Sequence, residues 1–248
     1  MSLVSFVFDR PTYLAERTGH GIRIAVIDSG VHATHPHVGG VHGGFGIDEH
    51  GHIVDDFVDR LGHGTAVAAA IREKAPDAEI LAIKVFWRAL ATDITSLTRA
   101  IDEASIRGAH VINLSLGTAE MRHEIQLASA VRQAYSRGSM IVSAHDEGGV
   151  RWLPGSMPHD GVIPVRADWT CERDAYAVVS IEGRSALATS PYPRDIPGVP
   201  RDRNVNGVSF AVANAAAFVA RALEASPGSH PASILSILHE AACAAHTA

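Results

Sequence analysis

Short apolar runs of strand length alternate along this chain with longer stretches of helical periodicity, and no other feature narrows its fold so far. Ile22–Ile27 reads Ile-Arg-Ile-Ala-Val-Ile and ends in Asp28-Ser29-Gly30, a buried strand running into a turn. Further strands are expected at Glu79–Val85, Ala109–Leu114, Ser139–Ala144, Gly161–Val165 and Ala175–Ile181. Between them, Asp93–Arg107 places Ile94, Leu97, Ile101 and Ala104 on one helical face, and Glu120–Arg137 does the same with Ile125, Ala128, Val131 and Tyr135. Gly108 and Gly138 stop these helices. Later helices are expected at Ser209–Glu224 and at Ala232–Ala242, the second after Pro231 at its first position. Parallel strands need crossover helices and cover on both faces. The pattern therefore implies an α/β fold, a three-layer doubly wound sandwich around a mostly parallel central sheet. Gly39–Gly51, rich in glycine, and Ser185–Asn206, rich in Pro and Arg, read as long loops.

Composition bounds the function. The chain has 248 residues with 46% hydrophobic content, and a single domain over 1–248 is expected, since one α/β core can reach this size. The 27 acidic residues outnumber the 21 basic ones, for a net charge of −6, so no basic excess is available to neutralise phosphates and nucleic acid is not an expected partner. Cys171 and Cys243 are too few for a disulfide framework and read as free thiols of a reducing compartment. The first residues, Met1 to Arg10, show no basic n-region, apolar h-region or cleavage site, so a cytoplasmic protein is expected. No apolar run approaches the ~20 residues that cross a bilayer, and no membrane partner is expected. The oligomeric state is left open.

Ligands of doubly wound sheets bind beyond the carboxyl ends of the strands. Asp28 stands at such an end. Gly62-His63-Gly64-Thr65 opens the Ala-rich helix Ala66–Lys74 with an imidazole, and Asn206-Gly207-Val208-Ser209-Phe210-Ala211 opens a later apolar helix with a hydroxyl. At such a helix start the serine's own N–H is an unpaired donor able to hold a developing oxyanion. Singly, each feature reads as a capping residue or a chance pair. Jointly, an Asp, a His and a Ser each placed at the edge of an element are the types nucleophilic catalysis needs: a hydroxyl, a base near neutral pKa, and a carboxylate to fix the tautomer of that base.

With these motifs in this order the sequence resembles the subtilisin-like serine proteases, the subtilase family. The likeness extends to His35-Pro36-His37-Val38 after the Asp motif, to Ala75-Pro76 through Lys84-Val85 after the His helix, and to Val111-Ile112-Asn113-Leu114-Ser115-Leu116-Gly117, which looks like the family's substrate strand. It covers roughly residues 21–223. The resemblance implies a subtilisin-like fold and a serine endopeptidase, without cofactor, in which Ser209 attacks, His63 moves the proton and Asp28 supports the imidazolium. It also implies a protein or peptide substrate laid along Ser115, Leu116 and Gly117, with Glu147 and Trp152 at the pocket for the residue before the cut. There are departures. Val208, Phe210 and Ala213-Asn214 replace the usual Thr, Met and Pro-His around the nucleophile. Ser143-Ala144-His145-Asp146 aligns with a segment whose Asn donates to the oxyanion, and a prohormone-convertase branch of the family carries Asp there. Asp146 is thus expected, with the Ser209 N–H, at the oxyanion hole; a carboxylate that cannot donate would lower the rate, and Asp146→Asn should raise kcat near neutral pH. No prodomain of the kind exported relatives use is seen. No inserted calcium loop interrupts Ala66–Glu73, so EGTA should leave the melting temperature unchanged.

Rival readings are weaker. His32, His35 and His37 have metal-ligand spacing, but no HExxH helix or Cys pair accompanies them, and His35-Pro36 belongs to the protease pattern. A nucleotide site after Ile27 lacks both GxGxxG and a P-loop. The alternative that stays open is a relative that kept the triad and lost turnover, acting as a peptide-binding module.

Overall fold

A computed structural model describes residue 14 and residues 16–244, the side chains of Asp202, Cys243 and Ala244 excepted. The readings of residues 1–13 and of the Cys243 thiol lie outside the described residues. The strands are β1 (Arg23–Asp28), β2 (Gly43–Ile47), β3 (Ile53–Val54), β4 (Glu79–Lys84), β5 (Val111–Leu114), β6 (Met140–Ala144), β7 (Asp146–Glu147), β8 (Val150–Arg151), β9 (Val162–Ala167), β10 (Tyr176–Ile181) and β11 (Arg184–Thr189). The helices are α1 (His63–Lys74), α2 (Ile94–Ile106), α3 (Glu124–Ser136), α4 (Val208–Ala225) and α5 (Pro231–Ala244).

Nine strands form one sheet in the order β10-β11-β9-β6-β5-β1-β4-β2-β3, and β7 pairs with β8 in a separate ribbon. Every pairing from β11 to β2 is parallel; the two edge pairs, β10 with β11 and β2 with β3, are antiparallel. Two apolar clusters lie on opposite faces. Ile24 and Val26 of β1 join a core with α1, α4 and α5, whereas Ala25 and Ile27, one residue out of phase, join a core with α2 and α3. This is the expected three-layer sandwich. α4, whose side chains are nearly all buried, packs between α1 and the middle of the sheet. Its Phe218 lies 4.8 Å from Tyr176, ring to ring; trimming such a buried ring to Ala typically costs about 3–5 kcal/mol.

Two expected loops contain strands. Gly39–Gly51 carries β2, parallel to β4 with Phe45 and Ile47 buried. Its glycines dilute the apolar pattern by which a strand is read, and its place is set by pairing. Ser185–Asn206 begins inside β11, whose Arg-Ser-Ala-Leu-Ala-Thr is poor in β-branched residues. A two-residue turn at Glu182 and Gly183, both at positive φ, makes its hairpin with β10. The expected helix Glu120–Arg137 starts as a 3-10 turn at Met121–His123 and becomes α3 only at Glu124.

Candidate active site

Parallel pairing sets out the site. Asp28 ends β1 in register with Lys84 of β4, and the ends of β1, β5 and β6 lie side by side, so residues just after them share one rim of the sheet. α1 returns to that rim with its first residue, His63. Asp28 is fully buried, and His63 Nδ1 meets its Oδ1 at 2.7 Å. The approach requires glycine at 64: a Cβ there would lie 2.2 Å from the Gly30 carbonyl oxygen. Asp28 Oδ1 also accepts the Ser29 N–H, while Oδ2 is buried and has no partner among the described residues. A buried carboxylate so placed favours a positive charge on the imidazole beside it. Burial pulls the His63 pKa down, but the hydrogen bond and charge of Asp28, with the charge of Asp59, outweigh it and hold the pKa above the usual histidine value.

The third residue of the constellation arrives from α4. Gly207 caps this helix at φ 147°, a conformation that glycine alone adopts readily, and Ser209 follows as the second helical residue, whose N–H has no carbonyl one turn back to bond. Ser209 Oγ donates to the Ser115 carbonyl at 3.2 Å, and among the described residues no hydrogen bond joins it to His63. In return Ser115 Oγ donates to the Ser209 carbonyl at 3.1 Å and accepts from Asn113 Nδ2 at 2.9 Å. The end of β5 and the nucleophile's turn are thereby stitched together. Further along, Thr189 Oγ1 donates to the Ala211 carbonyl, and Asn214 Nδ2 to those of Ser190 and Tyr192. Asn214, one of the departures around the nucleophile, is an anchor of this helix. Phe210 lies 5.6 Å from the His63 ring and forms part of its apolar wall.

A cavity of about 160 Å³ beside Ser209 is lined by Ser115, Leu116, Gly117, Ala144, Trp152, Val208 and Val212 as well. The structure thus brings together Ser209, the Ser115–Gly117 segment and Trp152. The segment before Trp152's neighbour Leu153 is held by main-chain bonds between Leu153 and Thr118, so the indole closes one side of the cavity. The indole Nε1 is buried and has no partner among the described residues. A larger cavity of about 470 Å³ continues past Leu116 and Gly117, lined by Phe86, Leu90, Ile94 and Leu97 and rimmed by Glu120 and Arg122.

Asp146 and Glu147 are not among the residues lining the Ser209 cavity. The Asp146 carboxylate accepts from His145 Nδ1 at 2.9 Å and from Arg166 at 3.1 Å, in a separate cavity with Arg151 and Glu182. Burial would raise its pKa, yet these two hydrogen bonds and the Arg166 charge hold it below the usual carboxylate range. The carboxylate expected at the oxyanion hole is turned in this structure toward Arg166 of β9. Glu147 pairs with Val150 in the β7–β8 ribbon, where burial and the Asp146 charge push its pKa up. No group of three His, Cys, Asp or Glu side chains able to hold a metal occurs among the described residues; His35 and His37 make an edge-to-face contact instead.

Two supporting residues escaped the sequence reading. Asp59 and Ser29 bridge the β1 end and the α1 start, with Asp59 four positions before His63. The signal was present as a carboxylate ahead of a helix start, but its partner across the sheet end was not visible.

Comparison with known proteins bears on the family and the fold. The family profile described as Subtilase family (Peptidase_S8) matches residues 19–156, which include Asp28 and His63 and stop short of Ser209. Subtilisin Savinase of Lederbergia lenta is 33% identical over 148 residues, 53% of this chain and 50% of that protein. Thermitase of Thermoactinomyces vulgaris is 34% identical over 149 residues, 53% of this chain and 49% of that protein. The Minor extracellular protease Epr of Bacillus subtilis (strain 168) is 31% identical over 193 residues, 73% of this chain and 28% of that protein. The aligned part of the chain thus spans half or less of these relatives. In three dimensions, Sphericase superimposes with a TM-score of 0.72 at 22% identity, over 96% of this chain and 91% of that one. Sequence profile, order of elements and the Asp28–His63 pair agree: the chain belongs to the subtilase family.

Proposed function

We propose that the chain is a serine endopeptidase in which Asp28, His63 and Ser209 cleave a peptide through an acyl-enzyme. The observation that carries this reading is the 2.7 Å Asp28–His63 hydrogen bond on the same rim as a serine that opens an apolar helix and lines a substrate-sized cavity. With Nδ1–H donated to Asp28, the imidazole leaves Nε2 as its free base. Rotation of the Ser209 side chain away from the Ser115 carbonyl brings Oγ to that nitrogen. Oγ then attacks the scissile carbonyl carbon, its proton passes to Nε2, and the same proton goes to the departing amine as the C–N bond breaks. Water repeats the sequence to release the acid. The substrate strand lies along Ser115, Leu116 and Gly117 through main-chain hydrogen bonds, the side chain before the cut enters the 160 Å³ cavity against Trp152, and the larger cavity takes a residue further upstream.

The oxyanion is held in this reading by the Ser209 N–H at the α4 start, with Asp146 engaged by Arg166 and not facing it. Residues 21–223 form the catalytic core of a single domain. A cytoplasmic setting is part of the proposal on its two cysteines alone, of which Cys171 is buried and unpaired with its thiol pushed up to about 12 by burial; fractionation of the native host tests it. The second reading, a peptide-binding relative without turnover, draws on the Ser209 hydroxyl's bond to Ser115. A fluorophosphonate probe separates the two. Labelling that is lost in Ser209→Ala, together with hydrolysis of casein or a peptide library, supports the enzyme; an unlabelled, folded protein that still binds peptides supports the module.

A further inference from the structure

Outside the three residues just assigned, the most highly coordinated carboxylate near the site is Asp59. It is 9% exposed and accepts five hydrogen bonds: Ser29 Oγ at 2.9 Å, Leu61 N at 2.9 Å and Gly62 N at 2.8 Å on Oδ1, and Thr65 N at 2.9 Å and Thr65 Oγ1 at 2.6 Å on Oδ2. These partners bracket His63 in sequence. Gly62 is held by Asp59 directly, and the Gly64 N–H donates to Ser29 Oγ, the same hydroxyl that donates to Asp59. Ser29 in turn is the residue after Asp28. One carboxylate therefore ties the end of β1, which carries the acid, to the first turn of α1, which carries the base.

The anchor is itself fixed to the sheet. Lys84 Nζ donates to the Val58 carbonyl at 2.7 Å, and the Val31 N–H donates to the Phe57 carbonyl at 2.8 Å, so residues 57–59 lie against the ends of β1 and β4. Burial disfavours the Asp59 charge, but the Thr65 hydroxyl and the three N–H groups overcome it and keep the carboxyl ionised below the usual range.

We propose that Asp59 is a positioning residue of the reaction: it sets the register of His63 against Asp28 through Ser29 and Thr65, and it supplies a second negative charge to the imidazolium. The proposal rests on the protease reading for its effect on rate. Its effect on His63 itself does not depend on turnover. The charged groups that bear on His63 are Asp28 from β1 and Asp59 from the loop before α1; Lys84 of β4, with Asp56 and Arg60 beyond it, faces Asp59 from the other side. Removing the Asp59 charge leaves Asp28 as the one anion bearing on His63 among the described residues, so the His63 pKa should fall.

The decisive experiment compares Asp59→Asn and Ser29→Ala with the parent by kcat, KM, the pH profile of kcat/KM, and NMR titration of the His63 ring, its signal assigned by loss in His63→Gln. Asn keeps the shape but loses the charge and turns an amide N–H toward the Thr65 N–H. For Asp59→Asn, kcat should fall about 10- to 100-fold with KM within about twofold, and both the acid limb and the His63 pKa should move to lower pH. Ser29→Ala cuts the bridge and leaves both charges, so kcat should fall while the His63 pKa stays in place. A folded Asp59→Asn with parental kcat and an unmoved His63 pKa overturns the proposal. Should Asp59→Asn not fold, Ser29→Ala decides: lower kcat with an unmoved pKa supports the bridge, and unchanged kcat refutes it. A parent that neither turns over nor labels with the fluorophosphonate defeats the protease reading, and the His63 titration then decides alone, a lowered pKa in Asp59→Asn supporting the coupling and an unmoved one overturning it.

Discussion

The two halves of the site are built differently. On the Asp28–His63 side the contacts are short and wholly or partly buried: a 2.7 Å carboxylate–imidazole bond, Ser29 and Asp59 bracketing the α1 start, and a glycine that lets the helix touch the strand end. On the Ser209 side the hydroxyl is bonded to a main-chain carbonyl, the Trp152 indole N–H has no partner among the described residues, and Asp146 faces Arg166. The first half is already organised in this structure; in the proposed mechanism the second completes its geometry when a peptide takes the Ser115 carbonyl and frees the Ser209 hydroxyl. The comparison teaches where rate and where specificity should be sensitive. In the proposed mechanism rate depends on the rigid pair and on the Ser209 hydroxyl, and specificity on the walls of the cavity beside that hydroxyl.

The largest effects should come from the triad. Ser209→Ala should remove probe labelling and lower kcat by about 10⁵- to 10⁶-fold, toward the residual level that binding and the backbone donor alone support. Activity on the same peptide surviving that change would move the nucleophile elsewhere. Asp28→Asn keeps the volume but can present an amide N–H to His63, which disfavours the tautomer with Nε2 free; kcat should fall about 10⁴-fold with KM little changed. A loss below about tenfold would show that Asp59 and the helix start suffice to orient the imidazole.

The pH profile sharpens the same comparison. His63 must be neutral to act as base, so activity rises with pH through its pKa. Burial lowers that pKa, and Asp28 and Asp59 raise it by more, so the acid limb of kcat/KM should lie above the ordinary histidine value of ~6.5. The stability linkage runs the opposite way with pH: protonated His63 stabilises the fold at pH below its unfolded value, and that contribution is lost as pH rises through the folded pKa. A limb at or below ~6.5 would mean that the rigid half does not hold the charge as its geometry implies.

On the open side, Trp152→Ala removes the indole from the wall of a cavity of about 160 Å³. The expected result is a preference for larger apolar residues before the cut, by about 10- to 100-fold in relative kcat/KM, since each added methylene in such a pocket is worth about 1–3 kcal/mol. Profiling with a peptide library reads it. An unchanged preference would place the first pocket elsewhere.

The three triad candidates, on both halves, were legible in the sequence because each stands at the edge of an element: Asp28 ends an apolar strand, His63 and Ser209 open helices, and glycines stand beside both helix starts. The sheet's middle was legible through continuous apolar runs. What could not be read depends on partners far along the chain. β2 and β11 are strands by pairing and not by composition. Asp146 could be aligned but not aimed: parallel pairing of β6 with β9, with Ala144 opposite Val165, brings Arg166 alongside it from twenty residues on. Asp59 was missed because its meaning lies in Ser29, thirty residues before it.

The smallest expected effect lies at Asp146. Were its carboxylate beside the developing oxyanion, Asp146→Asn would add a donor and raise kcat by about 10²-fold or more near neutral pH. The structure turns it toward Arg166 and His145, which hold it ionised and accept no role in the cavity of Ser209. Its charge is already offset by the guanidinium, and Asn would keep one acceptor for that bond. Between pH 6 and 8 the Asn variant should therefore stay within about threefold of the parent in kcat and KM, with a stability loss of about 1 kcal/mol or less, as for a partly exposed ion pair. A variant faster by an order of magnitude, assayed on the same peptide, would show that Asp146 swings to the oxyanion when substrate binds, and the open half of the site would then contain a second moving part besides the Ser209 hydroxyl.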